Sequence, residues 1–233
     1  MKKFVLASIN ICSAHFIEER YTEHNLAMVA DKIVKSGADV VAMQEVDVGA
    51  ARSDRVDMPA RLSEMTGLPY HYFIKIRDFE GGEYGTAVLS RYPIVESKTI
   101  HYPVKIATQG TSCGYVVLDV NGKEVTVFNT HLSVENDASN IETLCCLRDV
   151  LTEYQKTQKT LLACGDFNTY VPRVAEYLPN FNRVNETYPT YADRIIDHII
   201  YTGDLPACNG RTIDTQFDRT TDHNMLLCDV TLK

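Results

Sequence analysis

Short apolar runs recur along the chain at Phe4–Ile9, Ala38–Met43, Thr86–Leu89, Tyr115–Val120, Glu124–Asn129, Thr160–Cys164, Ile195–Tyr201 and Met225–Leu232. Several are apolar at consecutive rather than alternate positions, as strands covered on both faces require. Asn121-Gly122 lies between two of them and is a tight-turn dipeptide, so the flanking strands form an antiparallel hairpin. Elsewhere the period lengthens to that of a helix. In residues 25–37 the stripe is Leu26, Val29, Ala30, Ile33 and Val34, with Gly37 past its end. Residues 58–67 carry Pro59 at the start and Gly67 at the end. In residues 137–156 Ile141, Leu144, Cys145 and Leu151 share a face. Strands with helices between them, one pair joined by a tight turn, predict an α/β (α+β) layered sandwich rather than a purely parallel sheet. No repeat, linker or shift of composition divides the chain, so residues 1–233 are expected to form a single domain.

Polar residues gather where the apolar runs stop. Asn10 ends the first run, Gln44-Glu45 the second, and Asn129-Thr130-His131 the run from Glu124. Asp166 and Asn168 end Thr160–Cys164, Asp197-His198 sits inside Ile195–Tyr201, and Asp222-His223-Asn224 precedes the last strand. Strand ends along one edge of layered sheets can converge on a site. Carboxylates and amides are hard oxygen ligands for Mg2+ or Mn2+. Histidines stabilise charge on a phosphoryl group or protonate a leaving oxygen, and an aspartate takes a proton from water or holds an imidazole. Asp166 and Asn168, two apart in an extended segment, would project to one side and grip one water, with Phe167 turned into the core.

Charge narrows the partners. The formal net charge of −8 disfavours non-specific binding of DNA or RNA, yet leaves room for a small anionic substrate beside a bound metal. Seven cysteines (Cys12, Cys113, Cys145, Cys146, Cys164, Cys208 and Cys228), odd in number and without CxxC, read as reduced core residues of a cytoplasmic chain. The opening MKKFVLASINIC mimics a signal peptide, but its apolar stretch is short and broken by Asn10, so it reads as a first strand. No run reaches the length of a membrane span.

The segments SIN, MQEVD, GGEYGTAVLSRYPI, NTHL, GDFN, IDHI and TDHNML, between residue 8 and about residue 226, occur in the order seen in the endonuclease/exonuclease/phosphatase (DNase I-like) superfamily, which the chain resembles. The resemblance implies a four-layered sandwich, two mixed β-sheets packed face to face with helices outside. It also implies a divalent metal and hydrolysis of a phosphoester by in-line attack of water. By the same resemblance Glu45 is the principal metal ligand with Asn10 beside it, and Asp222 reaches the metal directly or through water. Asp166 activates or orients the attacking water, Asn168 helps hold it, and His223, oriented by Asp197, contacts the scissile phosphate. His131 matches a phosphate-contacting histidine and Tyr84 a position near the phosphate.

Plainer roles compete with some of these. Asn10 and Asn168 suit turns or caps, His131 a satisfied core position, and Tyr84 a packing aromatic; His198 reads as structural. Arg52, in a stretch with Arg55 and Arg61, is a candidate guide for an anionic substrate, and His15 a candidate for the cleft wall. The glycines of DFEGGEYG suggest a loop that gates access. Three functions follow: a metal-dependent hydrolase of a small or lipid-linked phosphoester, a nuclease of the same fold, or a non-catalytic binding protein. The intact motif set argues against the third, and the acidic charge without tryptophan favours the first over the second.

Overall fold

The structure is a computed structural model, and it describes residues 2–15, 20–157, 160–202, 205, 209–216 and 218–232. Among these are strands β1 (Lys2–Asn10), β2 (Val40–Val48), β3 (Tyr70–Phe79), β4 (Gly82–Ser90), β5 (Ile94–His101), β6 (Ser112–Asp119), β7 (Glu124–His131), β8 (Leu161–Asp166), β9 (Asn182–Arg183), β10 (Asp197–Tyr201), β11 (Asn209–Ile213) and β12 (Met225–Leu232). The helices are α1 (Glu23–Ser36), α2 (Met58–Thr66), α3 (Asp137–Gln155) and α4 (Val171–Tyr177). One sheet runs β11-β12-β1-β2-β4-β3 and the other β5-β6-β7-β8-β10-β9. Both are mixed: β1–β2 and β7–β8 are parallel, the other pairings antiparallel.

The consecutive apolar residues now have partners on both faces. Leu6, Val40, Val127 and Leu162 face the opposite sheet and fill the layer between the two. Their neighbours Ala7 and Val41 turn outward onto Leu26, Val29 and Ile33 of α1 and Leu62 of α2. Phe128 and Ala163 turn outward onto Leu144, Leu147 and Leu151 of α3 and Val174 of α4. Three apolar layers therefore separate four structural layers, the sandwich the motifs implied. A buried polar tie crosses the middle of the central layer. Gln44 Nε2 of β2 donates to Asn129 Oδ1 of β7 at 2.8 Å, and Asn129 Nδ2 donates to the carbonyls of Met43 and Ala87, each at 2.9 Å. Gln44 and Asn129, polar strand ends in the sequence, thus join the sheets.

Several local expectations change. β2 does not stop at Met43 but runs through a one-residue bulge to Val48. Val34 is 56% exposed, off the buried stripe of α1. On α3 the buried residues are Ser139, Asn140, Thr143, Leu144, Leu147 and Leu151, while Ile141 and Cys145 are half-buried, because Asn140 and Thr143 turn inward to hydrogen-bond backbone carbonyls. The glycines of DFEGGEYG serve a tight hairpin and not a loop: Phe79 pairs with Gly82, and Glu80 and Gly81 both take positive φ. The Asn121-Gly122 hairpin forms as expected, with positive φ at both residues. Cys208 lies outside the described residues; the other six cysteines are free thiols, Cys113, Cys164 and Cys228 buried and Cys12, Cys145 and Cys146 half-buried. No helix among the described residues is long and apolar enough to cross a membrane.

Candidate active site

Parallel pairing of β7 with β8, and antiparallel pairing of β10 with β8, put His131 and Asp197 on either side of Asp166. The Asp166 carboxylate is 2% exposed. Its Oδ1 accepts the Asn168 backbone N–H at 2.9 Å. Its Oδ2 meets Asn10 Nδ2 at 3.2 Å, His131 Nε2 at 3.5 Å and His223 Nε2 at 3.7 Å. Burial, then the charge of Asp197, raise the Asp166 pKa, and the two imidazoles pull it back down. A buried carboxyl tuned by opposing neighbours is suited to proton transfer.

His223 is held from behind. Its Nδ1–H donates to Asp197 Oδ2 at 2.8 Å, and the Tyr191 ring packs on it with centroids 4.8 Å apart. Burial opposes a charge on this imidazole, but Asp197, Asp166 and Asp222 outweigh it and raise its pKa to about 10. Asp197 is fully buried, with its N–H on Thr190 Oγ1 at 3.0 Å and its Oδ1 without a partner among the described residues. Asp197 stands at the start of β10 and not inside a strand. Tyr84 Oη lies 3.4 Å from His131 Nδ1, and burial beside Glu45 raises the phenol pKa.

The bulge in β2 presents Glu45. Its φ of 55° turns the side chain out of the ladder, and Ser13 Oγ donates to its carbonyl at 3.0 Å. Asn10 Oδ1 accepts the Cys12 N–H at 3.0 Å, so its amide hydrogens face the acids: Nδ2 is 3.0 Å from Glu45 Oε1. In this arrangement Asn10 orients the carboxylates rather than offering a ligand oxygen.

Asn168 departs from the extended geometry expected of it. Its φ is 49°, and its Nδ2 donates to the Leu132 carbonyl at 3.0 Å. The Asp166 side chain closes this turn by accepting the Asn168 N–H, while Phe167 is fully buried as anticipated. Asn140 of α3 clamps the same turn, donating to the carbonyls of Ser133 at 2.8 Å and Phe167 at 3.0 Å.

A cavity of about 400 Å³ opens over this cluster, with Glu45, His131, Asp166, Asn168, Asp222 and His223 in its wall and Tyr84 at one side. Asn10 and Asp197 sit behind that wall, in contact with the residues that form it. Arg52 and His15 are not part of it. Arg52 holds Asp47 with two bonds of 2.7 and 2.9 Å, donates to Ser13 at 2.8 Å and stacks over Phe79, so its charge is spent on bracing the Glu45 segment. The His15 Nε2 lies 3.8 Å from Cys12 Sγ, and burial, then Arg52, lower its pKa. His198 is structural: buried, it donates from Nε2 to the Thr169 carbonyl at 2.9 Å.

The donor set fits a hard divalent cation. Glu45 and Asp222 have no Lys or Arg ion-paired to them among the described residues, and Glu45 Oε2 has no donor there. Two carboxylates without an ion-paired Lys or Arg, beside a third, invite a cation with oxygen preference. Asp166, Asp197 and His223 also bring ligand atoms within 4.8 Å of one another. The 2.8 Å contact between His223 and Asp197 is a hydrogen bond, which leaves no space for an ion between them.

Sequence reasoning missed Gln109, Tyr170, Tyr191 and Arg194 in the same wall. They come from irregular segments with no periodicity to mark them. Asn140 had one signal, an amide on the apolar side of a helix.

Residues 8–223 match the model of the Endonuclease/Exonuclease/phosphatase family. No curated protein sequence matches the chain. Among solved structures, an endonuclease/exonuclease/phosphatase from Beutenbergia cavernae superposes with a TM-score of 0.79 at 21% identity, covering 100% of this chain and 72% of that one. The human Nocturnin catalytic domain with bound sulfate gives 0.77 at 18% identity, covering 100% and 94%. A mannosyl-6-phosphatase from Bacteroides thetaiotaomicron gives 0.72 at 14% identity, covering 98% and 100%.

Proposed function

The chain belongs to the endonuclease/exonuclease/phosphatase family, and on that premise we propose that it is a divalent-metal-dependent hydrolase of a small or lipid-linked phosphoester. One observation carries the reading: Asp166 Oδ2 faces Asn10, His131 and His223 within 3.7 Å, in the same cavity as Glu45 and Asp222. Members of this family are usually phosphoester hydrolases.

Glu45 and Asp222 would hold the cation, Mg2+ or Mn2+, with Asn10 fixing the Glu45 carboxylate. A bound cation supplies neutralising charge to the scissile phosphate. Asp166, its pKa raised by burial, takes a proton from the attacking water through Oδ2. Asn168 fixes the other oxygen of that carboxyl through its N–H. His223, kept charged by Asp197, donates from Nε2 to a phosphoryl oxygen. His131, in contact with Tyr84, lines the opposite side of Asp166 and contacts the phosphate from there. A net charge of −8 supports a small ester over a polynucleotide. Free thiols at the six described cysteines support a reducing, cytoplasmic setting, and the uninterrupted family match supports one domain.

Hydrolysis of p-nitrophenyl phosphate, bis(p-nitrophenyl) phosphate and plasmid DNA with Mg2+, Mn2+ or EDTA tests this. The expected result is metal-dependent cleavage of a small ester, lost by about 10²-fold or more in Asp166→Ala and His223→Ala. Cleavage of plasmid alone would make the chain a nuclease. Small-ester cleavage that survives both substitutions would sink the residue assignments.

A further inference from the structure

A second cavity, of about 490 Å³, adjoins the first and shares Tyr170 and Arg194 with it. Its chemistry differs. Beyond Tyr170 and Arg194 the wall is Val171, Pro172, Ile195, Glu186 and Asp193. Tyr170 stands between the cavities and is 51% exposed, a large aromatic face with no ring partner among the described residues. Asp193 makes no hydrogen bond among the described residues; its nearest cation is Arg194 Nε at 3.9 Å. Glu186 is held at one oxygen by Arg183 Nε at 2.6 Å, which leaves its other oxygen as an oriented acceptor.

The rim is tied to the reacting centre. Tyr191, which packs on His223, exchanges backbone hydrogen bonds with Arg194 at 3.0 and 2.8 Å. Asp193 and Arg194 therefore sit on the same turn that seats the imidazole. The cavity at Asp166 holds the imidazoles, the adjoining one holds the two carboxylates, and Tyr170 and Arg194 are common to both. A phosphate at Asp166 and His223 would have Arg194 within its own cavity. A second phosphate in the adjoining cavity would lie beside Asp193 and Glu186, both solvent-facing, and be disfavoured there. A neutral ring bearing hydroxyls is suited instead, with a face to lie on Tyr170 and O–H donors for the carboxylates.

Resting on the hydrolase reading, we propose that this cavity is the subsite for the alcohol part of the substrate and takes a neutral, polyhydroxylated ring, so that the substrate is a sugar-type phosphoester. Tyr170 is its platform, and Asp193 and Glu186 accept its hydroxyls.

Calorimetric titration tests it with Mg2+ present, using Asp166→Asn protein so that turnover does not intrude. The probes are inorganic phosphate, glucose 6-phosphate and adenosine monophosphate. Glucose 6-phosphate is expected to bind about tenfold or more tighter than inorganic phosphate and tighter than the nucleotide. Adding Tyr170→Ala, a substitution at a half-exposed site, should erase most of that preference, the affinity for glucose 6-phosphate falling far more than that for inorganic phosphate. In wild-type protein Tyr170→Ala should raise KM for glucose 6-phosphate several-fold more than KM for p-nitrophenyl phosphate. Equal affinity for the sugar phosphate and inorganic phosphate would overturn the subsite, as would tighter binding of the nucleotide or a preference that survives Tyr170→Ala. Failure of inorganic phosphate itself to bind would overturn the hydrolase reading, and the subsite with it.

Discussion

Two buried histidines occupy opposite electrostatic settings, and each makes a prediction. Burial holds the His198 pKa down at about 4, with only the Thr169 carbonyl and a weak pull from Asp166 against it; its Nδ1 has no partner among the described residues. The unfolded chain therefore binds a proton near pH 6.5 that the fold refuses until about pH 4. Stability falls as pH drops through that window and levels off below it, by roughly 3 kcal/mol at full extent. Urea titrations at pH 7 and 4.5 should show a smaller pH loss for His198→Gln than for wild type; parallel losses would refute this. His223 is the reverse case. Its pKa of about 10 means that the stability it contributes is complete below pH 6.5 and is lost as pH rises through 10. Asp197→Asn keeps an acceptor for Nδ1 but removes the charge, so the alkaline limb of kcat/KM should move toward neutral pH. An unmoved limb would mean that Asp197 only positions the ring. At this scale the sequence was readable in its residue types and less so in their tasks. Asn10, Glu45, Asp166, Asp197 and His223 converge as their strand-end positions suggested. Gln44 and Asn129 carry the same signal, yet they pair with each other across the sheets.

Among elements, the strands that the apolar pattern revealed are the interior ones. β3, β5, β9 and β11, the four it did not reveal, are the four sheet edges. An edge strand has one neighbour and less cover, so its side chains need not be apolar: β5, IVESKTIH, contains no buried residue. α4 escaped for a related reason, since seven residues are too few to display a helical period. What edge strands contribute is closure, while the site depends on the interior register, above all on β8. Gly165 there has a φ of 150°, and a Cβ on it would stand 1.9 Å from the Thr130 carbonyl oxygen. That oxygen belongs to β7 backbone and cannot swing aside, so Gly165→Ala must push β7 from β8 and His131 from Asp166. A destabilisation of about 1–3 kcal/mol is expected from such overpacking, read as a lower Tm, with kcat falling well beyond what the unfolded fraction explains. Activity that merely tracks the folded fraction would show that the β7–β8 register is not what places His131.

Over the whole molecule, the net charge of −8 is not evenly tolerated. Many exposed acids among the described residues have cationic neighbours, as in Lys35–Asp31, Arg61–Glu23 and Lys156–Glu153. The cavity gathers Glu45, Asp166 and Asp222 instead, with no Lys or Arg ion-paired to any of them among the described residues and with His131 and His223 within 3.7 Å of Asp166. Folding thus concentrates like charge at one place, a cost that a bound divalent cation would relieve. The prediction is a thermodynamic one, independent of turnover. Mg2+ or Mn2+ should stabilise the fold by about 3 kcal/mol at a hundredfold excess over Kd, on the order of 5–10 °C in Tm for a chain of this length. Na+ at matched ionic strength should not reproduce it, because screening acts on exposed pairs and weakens them. Glu45→Gln should abolish most of the shift and, with one fewer buried-side carboxylate, should raise Tm in EDTA. A wild-type Tm that is the same in EDTA, Na+ and Mg2+ would mean that the acids are compensated within the protein, and the metal-dependent reading would lose its physical basis.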